Sequence, residues 1–184
     1  MKSFSNSNII LIGIMGVGKS TIGASIAKSL NLEFYDTDEQ VEKYEKKSIN
    51  RIFEDSGEVY FRSVEQTVTL NLLKKERCII AFGGGTFINE KIRNAVSEDS
   101  ISVWLREDVN IILKRLLKNE KRPLIKNNPS LVINKLINDR YPIYNFADIK
   151  IDCNNENLKE IKLRIINTIL NRLILNNSTA WLPT

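Results

Sequence analysis

The residues best suited to chemistry lie near the amino terminus, in the pattern Gly13-x-x-x-x-Gly18-Lys19-Ser20. Glycines at 13, 16 and 18 let the backbone turn tightly and approach an anion without a Cβ in the way. Amides at the start of the following helix point their donors, and the positive end of the helix dipole, at that anion. Lys19 is placed to reach outer phosphate groups, and the Ser20 hydroxyl to help hold Mg²⁺. The pattern therefore predicts a phosphate-binding loop.

The flanks of this loop follow the order that the pattern requires. Residues 9–12 form a short apolar run, which is typical of a buried parallel strand. Beyond the loop, apolar residues recur at helical spacing: Ile22, Ile26, Ala27 and Leu30. The alternative is a glycine-rich turn that binds nothing. Because strand, glycine loop and helix stand in the right order, we interpret the stretch as a nucleotide-binding loop.

Two carboxylates, Asp36 and Asp38, end the next predicted strand, residues 32–38. Ligands of open α/β sheets sit at the carboxyl ends of strands. Spaced by two along an extended end, both side chains are predicted to project to the same side. One is then placed to meet a water on a metal ion, and the other to accept a proton from an attacking hydroxyl. The alternative is a surface turn in which Thr37 or Asp38 caps the next helix.

A third feature is the pair Arg62 and Glu65, three residues apart in a predicted helix that begins at Gly57. They share a helix face and can form an ion pair. As an exposed pair this would contribute only about 0.2–0.5 kcal/mol. The functional interpretation is a guanidinium that Glu65 fixes so that it binds a substrate carboxylate through two hydrogen bonds.

Three consecutive glycines, Gly83, Gly84 and Gly85, end a third predicted strand, residues 78–82. They permit close approach of the backbone to a ligand, and a flexible turn is the alternative. Further along, residues 119–129 are polar and bounded by prolines. This composition predicts a mobile lid that brings Arg122 over the phosphates, with a plain solvated linker as the alternative.

Alternating strands and helices must position these residues, and the hydrophobic pattern predicts both. The predicted strands are residues 9–12, 32–38, 78–82, 101–105 and 148–152. Helices are predicted after the phosphate loop, at 38–44, after a Ser48 cap, from Gly57 with a core stripe of Val64, Val68 and Leu72, at 89–97, from 108, at 131–141 and at 157–175. This order predicts a three-layer α/β fold, with a five-stranded parallel sheet and helices on both faces. We expect one domain over residues 1–184, ending in a loose tail at 176–184.

Composition narrows the chemistry further. The chain contains no histidine, which excludes a His-dependent triad, a His-ligated zinc site and an imidazole base. The net charge of +5 is not concentrated in a long basic stripe, so we expect no nucleic-acid partner. No apolar run has membrane-spanning length and the amino terminus lacks a signal-peptide apolar region, so we expect a cytoplasmic protein without a membrane partner. The two cysteines fit a reducing compartment, with Cys78 as a buried small hydrophobe.

Taken together, the ordered motifs resemble the shikimate kinases, within the nucleoside-monophosphate-kinase-like group of P-loop folds. The resemblance covers roughly residues 8–151. It rests on the loop at Gly13, Tyr35-Asp-Thr-Asp38, Gly57-Glu-x-x-Phe-Arg62-x-x-Glu65, Gly83-Gly-Gly85, Arg122-Pro-Leu, and Arg140-x-Pro-x-Tyr144 with Ala147-Asp148. The loop alone marks nucleotide binding, whereas Asp-Thr-Asp followed by Phe-Arg and Gly-Gly-Gly is highly specific. One departure is Asn145-Phe146, where many members carry an acidic residue.

The resemblance implies transfer of the γ-phosphoryl group of ATP to the 3-hydroxyl of shikimate, in aromatic amino-acid biosynthesis. It implies Mg²⁺ as cofactor, with Ser20 as a direct ligand and Asp36 in contact through water. Separately, we expect the protein to act as a monomer. ATP would be held by Gly16, Val17, Gly18, Lys19, Ser20, Thr21, Arg115 and Arg122. Arg115 matches the position that packs on adenine, and Arg122 belongs to the lid.

On the acceptor side, the resemblance implies that Asp38 holds the shikimate hydroxyls and takes the proton. Arg62 and Arg140 would grip the carboxylate, and Phe53 and Phe61 would wall the ring. Gly83, Gly84, Gly85 and Glu65 complete the implied acceptor-binding set, and Lys19, Asp38 and Arg122 form the catalytic set. Phosphoryl transfer needs positioning and charge neutralisation more than covalent catalysis, so a chain without histidine loses nothing by this mechanism.

Two alternatives remain beside this interpretation. One is a kinase of another small polyol acid, such as gluconate, on the same fold, against which Arg62, Arg140 and the three glycines argue. The other is a nucleotide-binding module without turnover, against which Lys19, Asp38 and Arg62 argue, or an NTPase switch, which is expected to hydrolyse ATP without an acceptor.

Overall fold

The structure is a computed structural model that describes residues 7–117, 128–153 and 156–175. Arg122 and most of the predicted lid lie outside the described residues, as does the predicted tail at 176–184.

Strands and helices alternate along the described chain, as predicted. The strands are β1 (Asn8–Ile12), β2 (Glu33–Asp36), β3 (Cys78–Ala81), β4 (Ser100–Arg106) and β5 (Ile149–Asp152). The helices are α1 (Lys19–Leu30), α2 (Thr37–Glu45), α3 (Ile49–Leu73), α4 (Glu90–Asp99), α5 (Val109–Leu117), α6 (Pro129–Tyr144) and α7 (Leu158–Leu175). A short 3₁₀ helix, Thr86–Ile88, lies between β3 and α4. No helix in the described ranges is long and apolar enough to cross a membrane.

The five strands form one parallel sheet in the order β2-β3-β1-β4-β5, which confirms the predicted architecture. In the ladder between β1 and β3, Ile9 pairs with Ile79 and Leu11 with Ala81. One residue past β3, the Phe82 amide donates to the Leu11 carbonyl at 3.0 Å. Since β1 and β3 are neighbours, the phosphate loop (residues 13–20) and the glycine loop (residues 83–85) leave the sheet side by side.

The core lies on both faces of the sheet because side chains alternate along each strand. On one face, Ile10 and Ile12 pack in a cluster with residues of α3, α4, α5 and α6. On the other face, Ile9 and Leu11 pack with residues of α1 and α7. Strands buried on both faces explain the unbroken apolar run of β1 in the sequence.

The end of β2 differs from the sequence prediction. The strand stops at Asp36 and α2 begins at Thr37, so Asp36 and Asp38 do not share an extended chain end. Asp36 is the cap of α2, and its Oδ1 accepts the Asp38 amide at 3.0 Å. The predicted extended end at Asp38 is therefore wrong, and so is the alternative in which Thr37 or Asp38 is the cap. A carboxylate at this position satisfies a helix-terminal amide, which favours starting the helix over extending the strand.

Two helices also depart from their predicted bounds. The predicted break at Gly57 is present as a kink inside one long element, α3, where Gly57 has φ 78° and ψ 176°. The predicted Ser48 cap is confirmed, since its side chain accepts the Arg51 amide at 3.3 Å. Helix α6 begins at Pro129, earlier than the predicted 131–141, and continues through Pro142 to Tyr144. Proline is well suited to a first helical position because that amide needs no partner inside the helix.

Candidate functional site

The phosphate loop has the backbone that its glycines were predicted to provide. Gly16 and Gly18 have φ of +83° and +101°, in the left-handed region that favours glycine. A Cβ on Gly13 would lie 2.8 Å from the Leu105 carbonyl oxygen, so a side chain does not fit there. Gly18 precedes the first residue of α1, and the amide end of that helix therefore opens onto the loop.

Lys19 lies over this loop. Its Nζ donates to the carbonyl oxygens of Gly13 at 2.8 Å and Ile14 at 3.0 Å. The ammonium group thus places a positive charge beside the amide end of α1, where an anion would also be favoured by the helix dipole.

Ser20 and Asp36 meet, as the metal-site prediction requires. The Ser20 hydroxyl donates to Asp36 Oδ2 at 2.5 Å, which ties the start of α1 to the end of β2. Mg²⁺ prefers oxygen ligands and commonly keeps several waters and substrate phosphates beside one or two protein groups. A hydroxyl and a carboxylate at the edge of a phosphate loop fit that requirement. In the described part of the chain, no three His, Cys, Asp or Glu residues cluster as a protein-only metal cage.

Arg115 also lies at the phosphate loop. Its Nη1 is 3.4 Å from the Val17 carbonyl oxygen, and its Nη2 pairs with Glu107 Oε2 at 3.1 Å. The Glu107 side chain is fully buried, so it holds the guanidinium from inside the protein. Glu107 was not predicted as a site residue. The feature of the sequence that could have indicated it is an acidic residue directly after the apolar strand β4. Of the other predicted loop residues, Val17 is buried and Thr21 is exposed in the first turn of α1.

The glycine loop brings the predicted acceptor residues together. A Cβ on Gly83 would clash with Asp38 Oδ1, and one on Gly84 would lie 2.8 Å from Arg140 Nη1. A Cβ on Gly85 would lie 2.5 Å from Arg62 Nη1. Each glycine therefore contacts a different charged side chain, and each of these comes from a different helix.

The same loop also lies against the phosphate loop. The Gly84 Cβ position is 3.6 Å from the Met15 amide nitrogen and 3.8 Å from the Gly13 carbonyl oxygen. The side chains of Asp38, Arg62 and Arg140 therefore meet at the glycine loop, directly beside the predicted phosphate site. Close approach of these side chains, rather than flexibility, accounts for the three glycines.

Arg62 is fixed by two carboxylates. Its Nη1 donates to Glu65 Oε2 at 2.8 Å, and its Nη2 to Glu58 Oε1 at 3.1 Å. Burial alone would lower the pKa of Arg62, but Glu65 and Glu58 outweigh it and raise that pKa. The Glu65 side chain is only 4% exposed, so this is not the exposed helix pair of the alternative interpretation. Glu65 contacts Arg62 and also accepts the Thr86 hydroxyl at 2.7 Å, so its contacts are those of a group that orients Arg62.

Phe53 and Phe61 form an apolar wall next to Arg62. Their ring centroids are 4.7 Å apart, and the Arg62 guanidinium carbon is 5.1 Å from the Phe61 centroid. Phe61 is buried and Phe53 is half-buried. The predicted ring-facing pair is therefore adjacent to one of the two predicted carboxylate-binding arginines.

Tyr144 supports the other side of the glycine loop. Its hydroxyl donates to the Gly84 carbonyl, and its ring packs edge-on against Trp104 at 5.9 Å between centroids. Burial raises the pKa of Tyr144 to about 12, although nearby Arg140 acts in the opposite direction. Tyr144 was part of the quoted motif, but its contact with the glycine loop was missed because 60 residues separate the partners.

The departure at Asn145-Phe146 lies away from both loops. Asn145 Oδ1 accepts Lys150 Nζ at 2.5 Å, and Phe146 is 76% exposed. Phe146 lines a cavity of about 350 Å³ that also contains Arg93 and Asp148 but no residue of the phosphate or glycine loop. The substitution therefore leaves the predicted site residues untouched.

Comparison with known proteins identifies the family of this chain. A family model described as "Shikimate kinase" matches residues 15–170. The chain belongs to the shikimate kinase family. A relative from Bartonella henselae named shikimate kinase is 42% identical over 170 residues, which cover 92% of this chain and 81% of the relative. The predicted family, and with it the predicted class of ATP-dependent small-molecule kinase, is confirmed.

Solved structures agree with this assignment. A shikimate kinase from Acinetobacter baumannii, determined in complex with shikimate, has a TM-score of 0.87 and 32% identity, covering 92% of this chain and 96% of that one. A gluconokinase from Sinorhizobium meliloti has a TM-score of 0.60 and 16% identity, covering 96% of this chain and 99% of that one. The second likeness shows the shared fold alone, so it does not favour the polyol-acid alternative.

Proposed function

We propose that this chain transfers the γ-phosphoryl group of ATP to the 3-hydroxyl of shikimate, with Mg²⁺ as cofactor. The observation that carries the proposal is the convergence of Asp38, Arg62 and Arg140 on the glycine loop, next to the phosphate loop. A hydroxylated carboxylate needs cations for its carboxylate and an acceptor for its hydroxyl protons, and these three groups supply both. Membership of the shikimate kinase family supports this choice of acceptor.

The donor half of the site is the phosphate loop with Lys19 and Arg115. Amides at the start of α1 would hold the phosphates, as helix amino termini do in this kind of loop. Lys19, already positioned over the loop carbonyls, would move its ammonium group onto phosphate oxygens. Arg115, fixed by Glu107, would pack on adenine. Arg122, outside the described residues, is proposed to contact the phosphates from the lid.

Ser20 would ligate Mg²⁺ directly, and Asp36 would contact it through water. Their oxygens already meet at 2.5 Å beside the loop. When bound, Mg²⁺ neutralises the phosphate charge that develops during transfer. Asp36 also caps α2, the helix that carries Asp38. The carboxylate proposed to contact Mg²⁺ is therefore joined directly to the start of that helix.

The acceptor half would work by orientation. Arg62 and Arg140, on α3 and α6, would bind the shikimate carboxylate, while Phe53 and Phe61 wall its ring. The 3-hydroxyl would then face the phosphate loop, and Asp38 would accept its proton. A positioned base of this kind typically contributes about 10²–10⁴ in rate. The remainder of the acceleration would come from positioning and from charge stabilisation by Lys19 and the arginines.

The site draws the described donor and acceptor residues from one chain, which supports action as a monomer. We place the enzyme in the cytoplasm, the compartment that supplies ATP and keeps its two free, buried cysteines reduced.

The test is a coupled assay of ADP release with ATP, Mg²⁺ and shikimate, run beside gluconate and beside ATP alone. Turnover is expected with shikimate only. Turnover with gluconate alone, or equal ADP release without any acceptor, would refute the proposed acceptor.

Asp38→Asn tests the role of the base in the same assay. We expect ATP binding to be retained and kcat with shikimate to fall by about 10²–10⁴. The matched control is Asp55→Asn, because Asp55 lies in the neighbouring α3 and pairs with Lys47 and Arg51 instead of the glycine loop. Near-normal turnover of Asp38→Asn would remove Asp38 from proton transfer.

A further inference from the structure

Three buried hydroxyl groups surround the glycine loop. Thr37 Oγ1 accepts the Gly83 amide at 2.7 Å, and the Tyr144 hydroxyl donates to the Gly84 carbonyl. Immediately after the loop, the Thr86 hydroxyl donates to Glu65 Oε1 at 2.7 Å. Thr37 and Thr86 are 0% exposed and Tyr144 is 1% exposed, so water does not compete for these bonds.

Each hydroxyl belongs to a residue that is linked to one charged residue of the acceptor site, through the chain, by contact or through Glu65. Thr37 directly precedes Asp38 in the chain. Tyr144 is one helical turn from Arg140 on α6 and lies against it, so both share a helix face. Thr86 reaches Arg62 through Glu65, whose other oxygen pairs with that guanidinium.

The glycine loop needs such outside support. Glycine has the widest conformational freedom of any residue, and three in succession carry no side chain with which to fix their own backbone. The arginine side chains lie very close to the loop backbone. A Cβ added to Gly84 would be 2.8 Å from Arg140 Nη1, and one added to Gly85 would be 2.5 Å from Arg62 Nη1. A shift of the loop toward either arginine would therefore displace its guanidinium group.

We propose that Thr37, Thr86 and Tyr144 are positioning residues that hold the glycine loop in register with α2, α3 and α6. They act through the loop, through Glu65 and, for Tyr144, also through its contact with Arg140, and none of them needs to touch shikimate. This inference rests on the proposed function, since it takes Arg62 and Arg140 as the groups that bind the acceptor carboxylate.

Tyr144→Phe tests the inference with the loss of one oxygen atom. The Gly84 carbonyl loses its donor, and the loop is free to shift against Arg140. We expect KM for shikimate to rise roughly fivefold to tenfold, because one buried hydrogen bond is lost. The arginine binds the carboxylate equally in the ground state and the transition state, so kcat and KM for ATP should stay within about twofold.

Tyr141→Phe is the matched control. Tyr141 lies on the same helix and packs against the same Trp104 ring, at 4.8 Å between centroids. In the described part of the chain its hydroxyl has no hydrogen bond comparable to that of Tyr144. Its removal should leave KM for shikimate unchanged.

Thr86→Val is a second, independent test variant, and Thr69→Val is its matched control. Both threonines are 0% exposed, but within the described residues the Thr69 hydroxyl has no hydrogen-bond partner. Thr86→Val frees one oxygen of Glu65 and should raise KM for shikimate roughly fivefold at an unchanged KM for ATP. Thr69→Val removes a hydroxyl from the same kind of environment and should change neither constant.

The outcomes separate this inference from the function on which it rests. Wild-type protein that fails to phosphorylate shikimate would overturn both. Wild-type turnover, with KM for shikimate unchanged in Tyr144→Phe and Thr86→Val, would overturn the positioning role alone. Equal increases for shikimate and ATP, together with a lower melting temperature, would also overturn it, because they indicate a general folding defect.

Discussion

Removing Arg62 should weaken acceptor binding much more than ATP binding. A hydrogen bond to a charged group contributes about 1.5–3 kcal/mol, and a guanidinium can make two with a carboxylate. The Arg62 side chain is 37% exposed, so water competes and we take the lower value for both bonds. The sum of about 3 kcal/mol corresponds to roughly a 100-fold loss in affinity for shikimate.

Arg62→Ala alone would mix two effects. The Glu65 side chain is only 4% exposed and would lose its cationic partner. Leaving one member of a buried pair charged costs about 3–5 kcal/mol of folding stability. Glu65→Gln removes that charge and keeps an oxygen for the Thr86 hydroxyl. The informative comparison is therefore the double variant Arg62→Ala/Glu65→Gln against Glu65→Gln.

The assay is steady-state kinetics with each substrate varied in turn, beside thermal melting. KM for shikimate should be roughly 100-fold higher in the double variant than in Glu65→Gln, with KM for ATP within about twofold. Arg51→Ala is the control, because Arg51 lies on the same helix and its ion-pair partners within the described ranges are Glu54 and Asp55, near the surface. A change below threefold, or equal losses for both substrates, would refute the carboxylate-binding role of Arg62.

Two further predictions concern a backbone contact and a thiol. Gly85 has a φ of −99°, which alanine adopts, so Gly85→Ala should raise KM for shikimate about tenfold through its contact with Arg62. Gly57→Ala, at φ +78° and ψ 176° with open space around it, should instead cost about 1–3 kcal/mol of stability and leave that KM unchanged. The reverse pattern in kinetics and urea unfolding would contradict both assignments. Burial raises the pKa of Cys153 from 9.0 to about 12, so its neutral thiol favours folding below pH 9 and this advantage is lost as the pH rises toward 12. The stability difference between wild type and Cys153→Ala should therefore shrink above pH 9 in urea unfolding, and a constant difference would refute the shift.

Local signals predicted much of this molecule. The phosphate loop, its strand and its helix follow one another within about 20 residues, so their order is visible in the chain. The break at Gly57 and the Ser48 cap are likewise decided by neighbouring residues. The stripe of Val64, Val68 and Leu72 is buried as predicted, because helical spacing alone fixes a common face.

The end of β2 and the contacts between separated segments could not be predicted in the same way. Asp36 caps α2, which begins where the sequence predicted that β2 would continue. The residue pattern of a strand does not show that a helix begins before the pattern ends. Thr37 and Tyr144 belong to the quoted motifs, but their contacts were not predicted because their partners in the glycine loop are 46 and 60 positions away. Glu107 follows the end of β4, whereas Arg115 lies on α5. Helical spacing therefore does not relate the two residues of this ion pair.

The adjacency of β1 and β3 has a consequence for how acceptor preference could evolve. The ladder runs up to the Phe82 amide and the Leu11 carbonyl, so hydrogen bonds of the sheet set the span between the two loops. The charged acceptor residues stand on helices outside that ladder. A change in the α2–α3 segment can therefore alter Asp38 and Arg62, which face the acceptor, without breaking the hydrogen bonds that join β1 to β3.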